Sequence, residues 1–532
     1  MKARKETLVM KFKPFFLAFI ASLGGFLFGF DAGIIFGVME YAGPQLNLND
    51  VQLGWVVSCP TFAAMFAMLA AGSVSNLYGR KRLLLVVAFL YVASAVLSAF
   101  SNGYEMLYLA RMLGGVAFGA ALIIAPTYIA EISMAANRGK LVSIQQLNIV
   151  FGFFTAFLCS WFFNESFKGG AGFLTEDNVW RWMLGIGAFP AVFYFFLLLL
   201  VPCSPRWLFT RGRTAEGHAV LQQLHGGDAG DAEAKAIRQN IEAEAGVIKD
   251  GYAELFNPKL GFVLFVGLSI GILQQSTGIN AIFFYATGIF KQTGNGTDMA
   301  FTSSVWLSVT YLVFTMVAIL LIDRLGRRPL LLVGIAGIAV SLLLCAFAFN
   351  QASYQLTAED METLQMNETL GSEDLKVLSV LTDEVFDNDV AFKRKMREIL
   401  GNQVYAKAEG SILEEATMDL NGKLVLVGIL GFIACFAFSL GPVMWVMLSE
   451  LYPNRIRGLA IGVIGFVNSF ISWVVSQIFP WEVSNLGSAV AFLIFGVIAA
   501  VGFFLLFFIL PETKGRSLEE LEAELVHREP LL

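Results

Sequence analysis

The chain is 532 residues long, carries a formal net charge of −6, and is 57% hydrophobic with only 15% charged residues. A soluble domain is about a quarter charged, so this chain lacks the polar surface for a water-facing exterior. It has no basic block to suggest a nucleic-acid partner, and its five cysteines (Cys59, Cys159, Cys203, Cys345, Cys435) sit in or beside apolar runs without a CxxC pair, suggesting neither a disulfide framework nor a metal site.

The first apolar run, Phe15 to Met39, is broken mainly by Asp31. It is longer than the apolar region of a secretory signal and leads into many more such runs, so it reads as a retained helix. About 20 apolar residues span the hydrocarbon core as a helix, and the runs lack the alternation of a barrel strand. In chain order the pattern predicts an all-α membrane protein with twelve spans. The first six lie at 15–38, 55–77, 83–101, 105–129, 140–163 and 181–201. The second six lie at 260–290, 301–322, 329–349, 424–449, 457–479 and 487–510. The boundaries predict a half over 1–202, a polar helical linker over 203–259, a second half over 260–510 and a short tail over 511–532.

Basic residues set the orientation, because Lys and Arg are retained on the cytoplasmic side. Lys2, Arg4, Lys5, Lys11 and Lys13 precede the first span, and Arg80, Lys81 and Arg82 follow the second. Arg138 and Lys140 follow the fourth, Arg327 and Arg328 the eighth, and Arg455 and Arg457 the tenth. Twelve spans put all of these, and both termini, in the cytoplasm. The expected location is a cell membrane, plasma or bacterial inner; the sequons at Asn295 and Asn367 face outward and do not distinguish the two.

The halves repeat one another. Gly79-Arg80-Lys81 recurs as Gly326-Arg327-Arg328, and Glu131 before Arg138-Gly139 recurs as Glu450 before Arg457-Gly458. The first pair of landmarks is 247 positions apart and the second 319, so the second half carries 72 additional residues. The polar, acidic stretch 350–423 accommodates them on the outer face, and the helix-like spacing of Leu375, Leu378, Leu381, Phe392 and Met396 predicts a small helical cap. Two similar six-span halves suit a rocking transporter with its site between them.

Ionisable residues at membrane depth are costly and mark function by default. Counted from the predicted outer ends of their spans at about 1.5 Å per residue, Asp31 lies about 10–12 Å deep and Arg111 about 9–12 Å deep. Opposite charges at similar depth predict a pair, either a static tie or a proton switch in which Asp31 carries the proton. The three histidines (His218, His225, His527) all lie in polar segments, which excludes a histidine relay. Uncharged polar residues form a second group: Gln145, Gln146 and Asn148 in the fifth span, Gln274, Gln275, Ser276, Thr277 and Asn280 in the seventh, and Asn468 and Ser472 in the eleventh, with Trp445 in the tenth. Amides offer donors and acceptors together, which suits hydroxyl groups, and aromatic faces suit sugar rings. No nucleophile–base set, metal cluster or phosphate loop suggests an enzyme.

The motifs Pro126-Thr-Tyr-Ile-Ala-Glu131 with Arg138-Gly139-Lys140, Pro202-Cys-Ser-Pro-Arg-Trp-Leu208, Gln274-Gln-Ser-Thr-Gly-Ile-Asn280, Gly441-Pro-Val-Met-Trp445 and Pro511-Glu-Thr-Lys-Gly515 occur in order. Through them the chain resembles the sugar porter family of the major facilitator superfamily, over both halves but not the insert. Its motifs lie nearest to those of proton-coupled xylose, hexose and inositol symporters. The resemblance implies the major facilitator fold and alternating access. It implies sugar contacts at Gln146, Gln274, Gln275, Asn280, Trp445 and Asn468, proton coupling through Asp31 and Arg111, and a cytoplasmic charge network of Arg80, Glu131, Arg138, Arg327, Glu450 and Arg457. Facilitative glucose carriers have Asn at the position of Asp31, so Asp31 favours symport. The implied partners are a small neutral sugar or polyol, protons and the lipid bilayer, with no cofactor and the chain acting as a monomer. The chain departs from the family at Asn76, often Asp, and at Cys203, usually Glu. It departs again at Tyr311, where many hexose carriers place Asn, and at Met444, which replaces a proline of facilitative members. A long loop after the ninth span also occurs in inositol–proton symporters. The alternatives are a facilitative uniporter, or a non-transporting sensor, against which the short tail argues.

Overall fold

The computed structural model describes the backbone of residues 2–134, 137–170, 172–245, 255, 260–291, 296–366, 370–382, 384–418, 420–452 and 456–514. Among them, twelve helical stretches are long and apolar enough to cross a membrane. They are Pro14–Gln45, Asp50–Tyr78, Arg80–Ala99, Tyr104–Ile132, Leu141–Lys168 and Val179–Leu199, then Gly261–Phe284, Met299–Ile322, Arg327–Asn350, Gly422–Leu451, Arg457–Asn485 and Ser488–Ile509. Each overlaps one predicted span. We call the end of the bundle that carries Arg80 and Arg327 the basic end, and the opposite end, from which residues 350–423 project, the insert end.

The first span differs most from its predicted limits. It continues to Gln45 because its polar last turn is anchored: the Gln45 amide donates to Asp177 Oδ1 at 3.0 Å and accepts from the indole nitrogen of Trp180. Fourteen residues therefore follow Asp31 before the helix ends, about 21 Å of helix, of which the last turns lie beyond the apolar run.

Small residues bring the spans of the first half together. Gly25, Gly29, Gly33 and Gly37 recur every fourth residue on one face of the first span, and all four approach the fifth. A Cβ at Gly29 would lie 1.9 Å from the Ile149 carbonyl oxygen, and one at Gly152 would lie 2.1 Å from that of Phe26. The two backbones therefore touch, which is how helices associate where lipid removes the hydrophobic drive. The second and fourth spans meet similarly, with Gly115 against Pro60 and Gly119 against Ala64. We predict that Gly29→Leu yields no monodisperse protein on size-exclusion chromatography in detergent. Gly72→Leu, at a position with open space around it, should behave as the parent.

Two spans are broken at polar motifs. The seventh consists of Gly261–Ser276 and Ile279–Phe284, interrupted where Gly278 adopts φ +83°, and a further turn, Ala286–Lys291, follows it. The tenth breaks at Ser439 into Gly422–Phe438 and Leu440–Leu451. Broken helices present backbone and side-chain polar groups to a cavity at membrane depth.

The predicted cap is helical and has its own core. Its helices are Ala358–Met366, Ser372–Leu378 and Asp389–Ala416, the last kinked at Gly401. Leu375, Leu378, Leu381, Phe392 and Met396 all lie in its buried cluster. The cap leaves and rejoins the bundle through a two-residue antiparallel pair, Ser353–Tyr354 with Thr417–Met418. It is fastened to the twelfth span by Asp389, whose Oδ2 accepts from the backbone nitrogen of Ser488 at 3.2 Å and from its hydroxyl at 3.3 Å. The buried ammonium of Lys393 lies 3.6 Å from the same carboxylate. A carboxylate at a helix N-terminus satisfies free amide groups and the helix dipole. Asp389→Ala should cost about 1–2 kcal/mol of stability, read as a lowered unfolding midpoint in detergent.

At the basic end, the linker helices Pro205–Thr210, Thr214–His225 and Gly227–Ala245 follow the sixth span. Trp207 donates to Asn76 O at 3.0 Å and Arg211 to Leu77 O at 2.7 Å, so the start of the linker docks on the first half.

Candidate functional site

Asp31 and Arg111 are paired. Arg111 Nη1 donates to Asp31 Oδ1 at 2.9 Å. The guanidinium is 2% exposed and the carboxylate 22%. Gly114 leaves room beside the pair, since a Cβ there would meet Ser94 Oγ at 2.6 Å and Asp31 Oδ2 at 3.9 Å. The contact is one-pronged. Arg111 Nε has no hydrogen-bond partner, and no hydrogen bond to Asp31 Oδ2 occurs among the described residues. A two-pronged Arg–carboxylate fork is the stronger geometry. This pair instead leaves one carboxylate oxygen uncommitted, on a side chain that is 22% exposed.

The second-half amides form one connected network around the break in the seventh span. Asn468 Nδ2 donates to Gly271 O and to Gln274 Oε1, both at 2.8 Å. Gln275 Nε2 donates to Asn468 Oδ1 and to Gln274 Oε1, both at 3.3 Å. Asn280 Nδ2 reaches Gln275 Oε1 at 3.0 Å and Ser472 Oγ at 2.6 Å. Gln274 Nε2 donates to Leu440 O at 2.9 Å, tying the network to the break in the tenth span. Trp445, about one and a half turns beyond that break, is 41% exposed.

The three amides of the fifth span have different surroundings. Asn148 donates to Ser22 Oγ at 2.6 Å, holding the first and fifth spans together. Gln145 is buried against Gly25 with its Oε1 unpartnered. Gln146 is half-buried, and no hydrogen bond engages its amide among the described residues. Rings join the halves nearby: Phe153 lies 5.2 Å from Phe283 and 6.0 Å from Tyr311, and Phe283 lies 5.0 Å from Tyr311. Gln146 precedes Phe153 by two helical turns, about 10 Å toward the basic end. Gln275 precedes Phe283 by a similar stretch in the same direction. The amides of both halves thus lie on the basic side of one aromatic closure. Tyr311 belongs to that closure.

The charges at the basic end form two matching clusters. Arg80 Nη2 meets Glu131 Oε1 at 2.9 Å, and Glu131 Oε2 accepts from Ser204 Oγ at 2.5 Å. In the second half, Arg327 grips Glu450 with two bonds of 2.8 and 3.1 Å, and Glu450 Oε2 accepts from Thr513 Oγ1 at 2.6 Å. Each hydroxyl stands two residues after the proline that follows its half's last span, Pro202 or Pro511. Glu512 also accepts from the backbone nitrogens of Arg327 and Arg328 at 3.1 and 3.2 Å. Its counterpart is Cys203, so the N-terminus of the third span lacks that cap. The contacts named here each lie within one half. Arg457 stands apart from the expected network: its Nε donates to Tyr452 O at 3.1 Å and its Nη2 has no partner. The side chain of Arg138 lies outside the described residues.

The sequence did not disclose the aromatic closure or the roles of Ser204 and Thr513, because each joins residues far apart in the chain. The repeated Pro-x-Ser/Thr after each half was the one available signal for the latter.

The family model for sugar (and other) transporters matches residues 17–361 and 400–525, passing over part of the insert. The chain is 30% identical to the arabinose-proton symporter of Bacillus subtilis over 502 residues, covering 94% of this chain and 93% of that protein. It is 30% identical to the human proton myo-inositol cotransporter over 541 aligned positions, covering 95% and 81%. The inward-open structure of the xylose transporter XylE from E. coli superposes with a TM-score of 0.72 at 26% identity, covering 96% and 100%. A structure of the proton:xylose symporter XylE with bound 6-bromo-6-deoxy-D-glucose superposes with a TM-score of 0.68 at 27% identity, covering 96% and 98%.

Proposed function

Since this chain belongs to the sugar porter family of the major facilitator superfamily and is a multi-pass membrane protein with that fold, we propose that it is a proton-coupled symporter of a monosaccharide or polyol. The observation that carries the coupling is the one-pronged Asp31–Arg111 pair. Its free carboxylate oxygen accepts a proton, the ion pair weakens, and the balance between outward- and inward-facing states shifts. The proton is a co-substrate, and no other cofactor is invoked.

The amide network supports a neutral polyhydroxyl cargo. Gln274, Gln275, Asn280 and Asn468 hold one another in place, while the uncommitted amide of Gln146 and the exposed Trp445 supply partners from two sides. Prearranged donors and acceptors lower the ordering cost of binding. Relatives named for arabinose, xylose and myo-inositol support a small neutral sugar or polyol as the cargo.

In this reading residues 1–202 and 260–510 rock about the cargo as two units, joined by the cytoplasmic linker 203–259, and the chain works as a monomer. The basic end and both termini face the cytoplasm. The two clusters at Glu131 and Glu450 then brace each half separately. The test is uptake by the purified protein in proteoliposomes from a panel of pentoses, hexoses and inositols, with and without an inward proton gradient. We expect accumulation of one class only when the gradient is present. Equilibration without accumulation for every sugar would leave a facilitative carrier.

A further inference from the structure

At the insert end, the two halves are joined by a charged contact that no sugar or proton role accounts for. Glu40, in the last two turns of the first span, pairs with Lys291, the last residue of the turn that follows the seventh span. The side chains are 19% and 14% exposed. The long insert helix Asp389–Ala416 lies against both elements, so the pair sits beneath the cap. One turn below it, Phe36 stacks on Phe157 at 4.0 Å and meets Phe301 of the eighth span at 5.8 Å. The other seam between the halves closes through Gln477, which accepts from Ser58 Oγ and donates to Val51 O, both at 2.9 Å. The insert end is therefore shut along both seams, and Glu40–Lys291 is a charged tie across one of them.

We propose that Glu40 and Lys291 form an outer latch that selectively stabilises the state closed to the outside, with the cap, fastened to the second half by Asp389, as its roof. The proposal rests on the alternating-access reading above. A contact shifts a two-state equilibrium only if it differs between the states. Opening the insert end separates the first span from the seventh, and both charges pass into water. In the closed state they are mostly covered and depend on each other. Neutralising one leaves its partner covered and unpaired, which raises the energy of the closed state alone. The population then moves toward the outward-open form. Exchanging the two charges restores the attraction and hence the balance.

The test uses the full-length protein in right-side-out vesicles with Phe301→Cys as a reporter, because Phe301 is buried behind the latch when the outside is closed. A membrane-impermeant maleimide added outside should label position 301 at least tenfold faster in Glu40→Gln or Lys291→Gln than in the parent. The double exchange E40K/K291E should return labelling to within threefold of the parent. Unchanged labelling in the single variants, or no recovery in the exchange, overturns the latch. If the single variants do not reach the membrane, the pair Glu40→Cys with Lys291→Cys decides. A short thiol-cleavable cross-link should arrest net sugar flux, preserve sugar binding from the cytoplasmic side, and release on reduction. Flux that continues through the cross-linked protein also overturns it. Labelling rates require neither a known sugar nor a proton gradient, so failure of the symport reading leaves this result interpretable.

Discussion

Asp31→Asn should abolish uphill accumulation while leaving sugar exchange intact. The amide keeps the shape of the carboxylate and can still accept from Arg111 Nη1, which approaches Oδ1 at 2.9 Å in the parent. It cannot take up or release a proton. One proton moving down about 100 mV supplies about 2.3 kcal/mol, equivalent to a concentration ratio of about 50 for a neutral solute. The variant should lose that whole ratio and equilibrate at about one, whereas counterflow of labelled sugar should stay within a fewfold of the parent. Arg111→Leu is the complementary case. It leaves a carboxylate without a partner at membrane depth, and the least costly response is for that carboxylate to hold a proton. Both variants should transport without coupling. An Asp31→Asn protein that still concentrates sugar against a gradient would disprove the proton role of this pair.

The second large effect is expected at Asn468. Its side chain donates to Gly271 O and Gln274 Oε1 and accepts from Gln275, so it links both glutamines to the backbone of the seventh span. Asn468→Leu removes these bonds and leaves the buried Gln274 Oε1 with fewer donors. An unsatisfied buried polar group costs about 1–3 kcal/mol, and the glutamines lose the geometry in which they meet a substrate. We expect sugar affinity, read by equilibrium binding in detergent, to fall about 30-fold, equivalent to about 2 kcal/mol. Asn148→Ala makes the control. That amide bonds Ser22 and ties the first span to the fifth, so its loss should lower the unfolding temperature and leave affinity within threefold. Equal losses of affinity in the two variants would reduce the Asn468 network to helix packing.

Much of this architecture was readable from residue order, because the membrane imposes simple rules. Long apolar runs must become helices, basic residues mark one end, and the Gly79/Gly326 and Glu131/Glu450 repeats expose the duplication. Asp31 and Arg111 stood out as charges in apolar runs, and the structure pairs them. The end of the first helix lies beyond the expected limit because hydropathy stops near Met39, while Gln45, Asp177 and Trp180 carry the helix further through polar contacts. The breaks at Gly278 and Ser439 depend on tertiary contacts as much as on local propensity: Gly278 faces the ring of Phe495. The ring closure of Phe153, Phe283 and Tyr311 was invisible for a different reason. In a chain with 50 phenylalanines, no periodicity singles out these particular rings as ones that meet across the halves. Arg457 donates to the Tyr452 carbonyl, a contact that its place in the repeat did not announce.

The two-rung strand pair at the base of the cap makes the insert a detachable cassette. Paired residues across such a ladder have Cα atoms about 5 Å apart, so the chain leaves and returns at almost one point. Residues 355–416 could be exchanged for a short glycine–serine bridge without pulling on the ninth or tenth span, at the cost of the Asp389 cap on Ser488 and of the cover over Glu40 and Lys291. The same socket could hold a foreign folded domain on a rigid double-stranded stem. In electron microscopy, a transporter otherwise largely hidden in its lipid belt would then carry a landmark of known orientation.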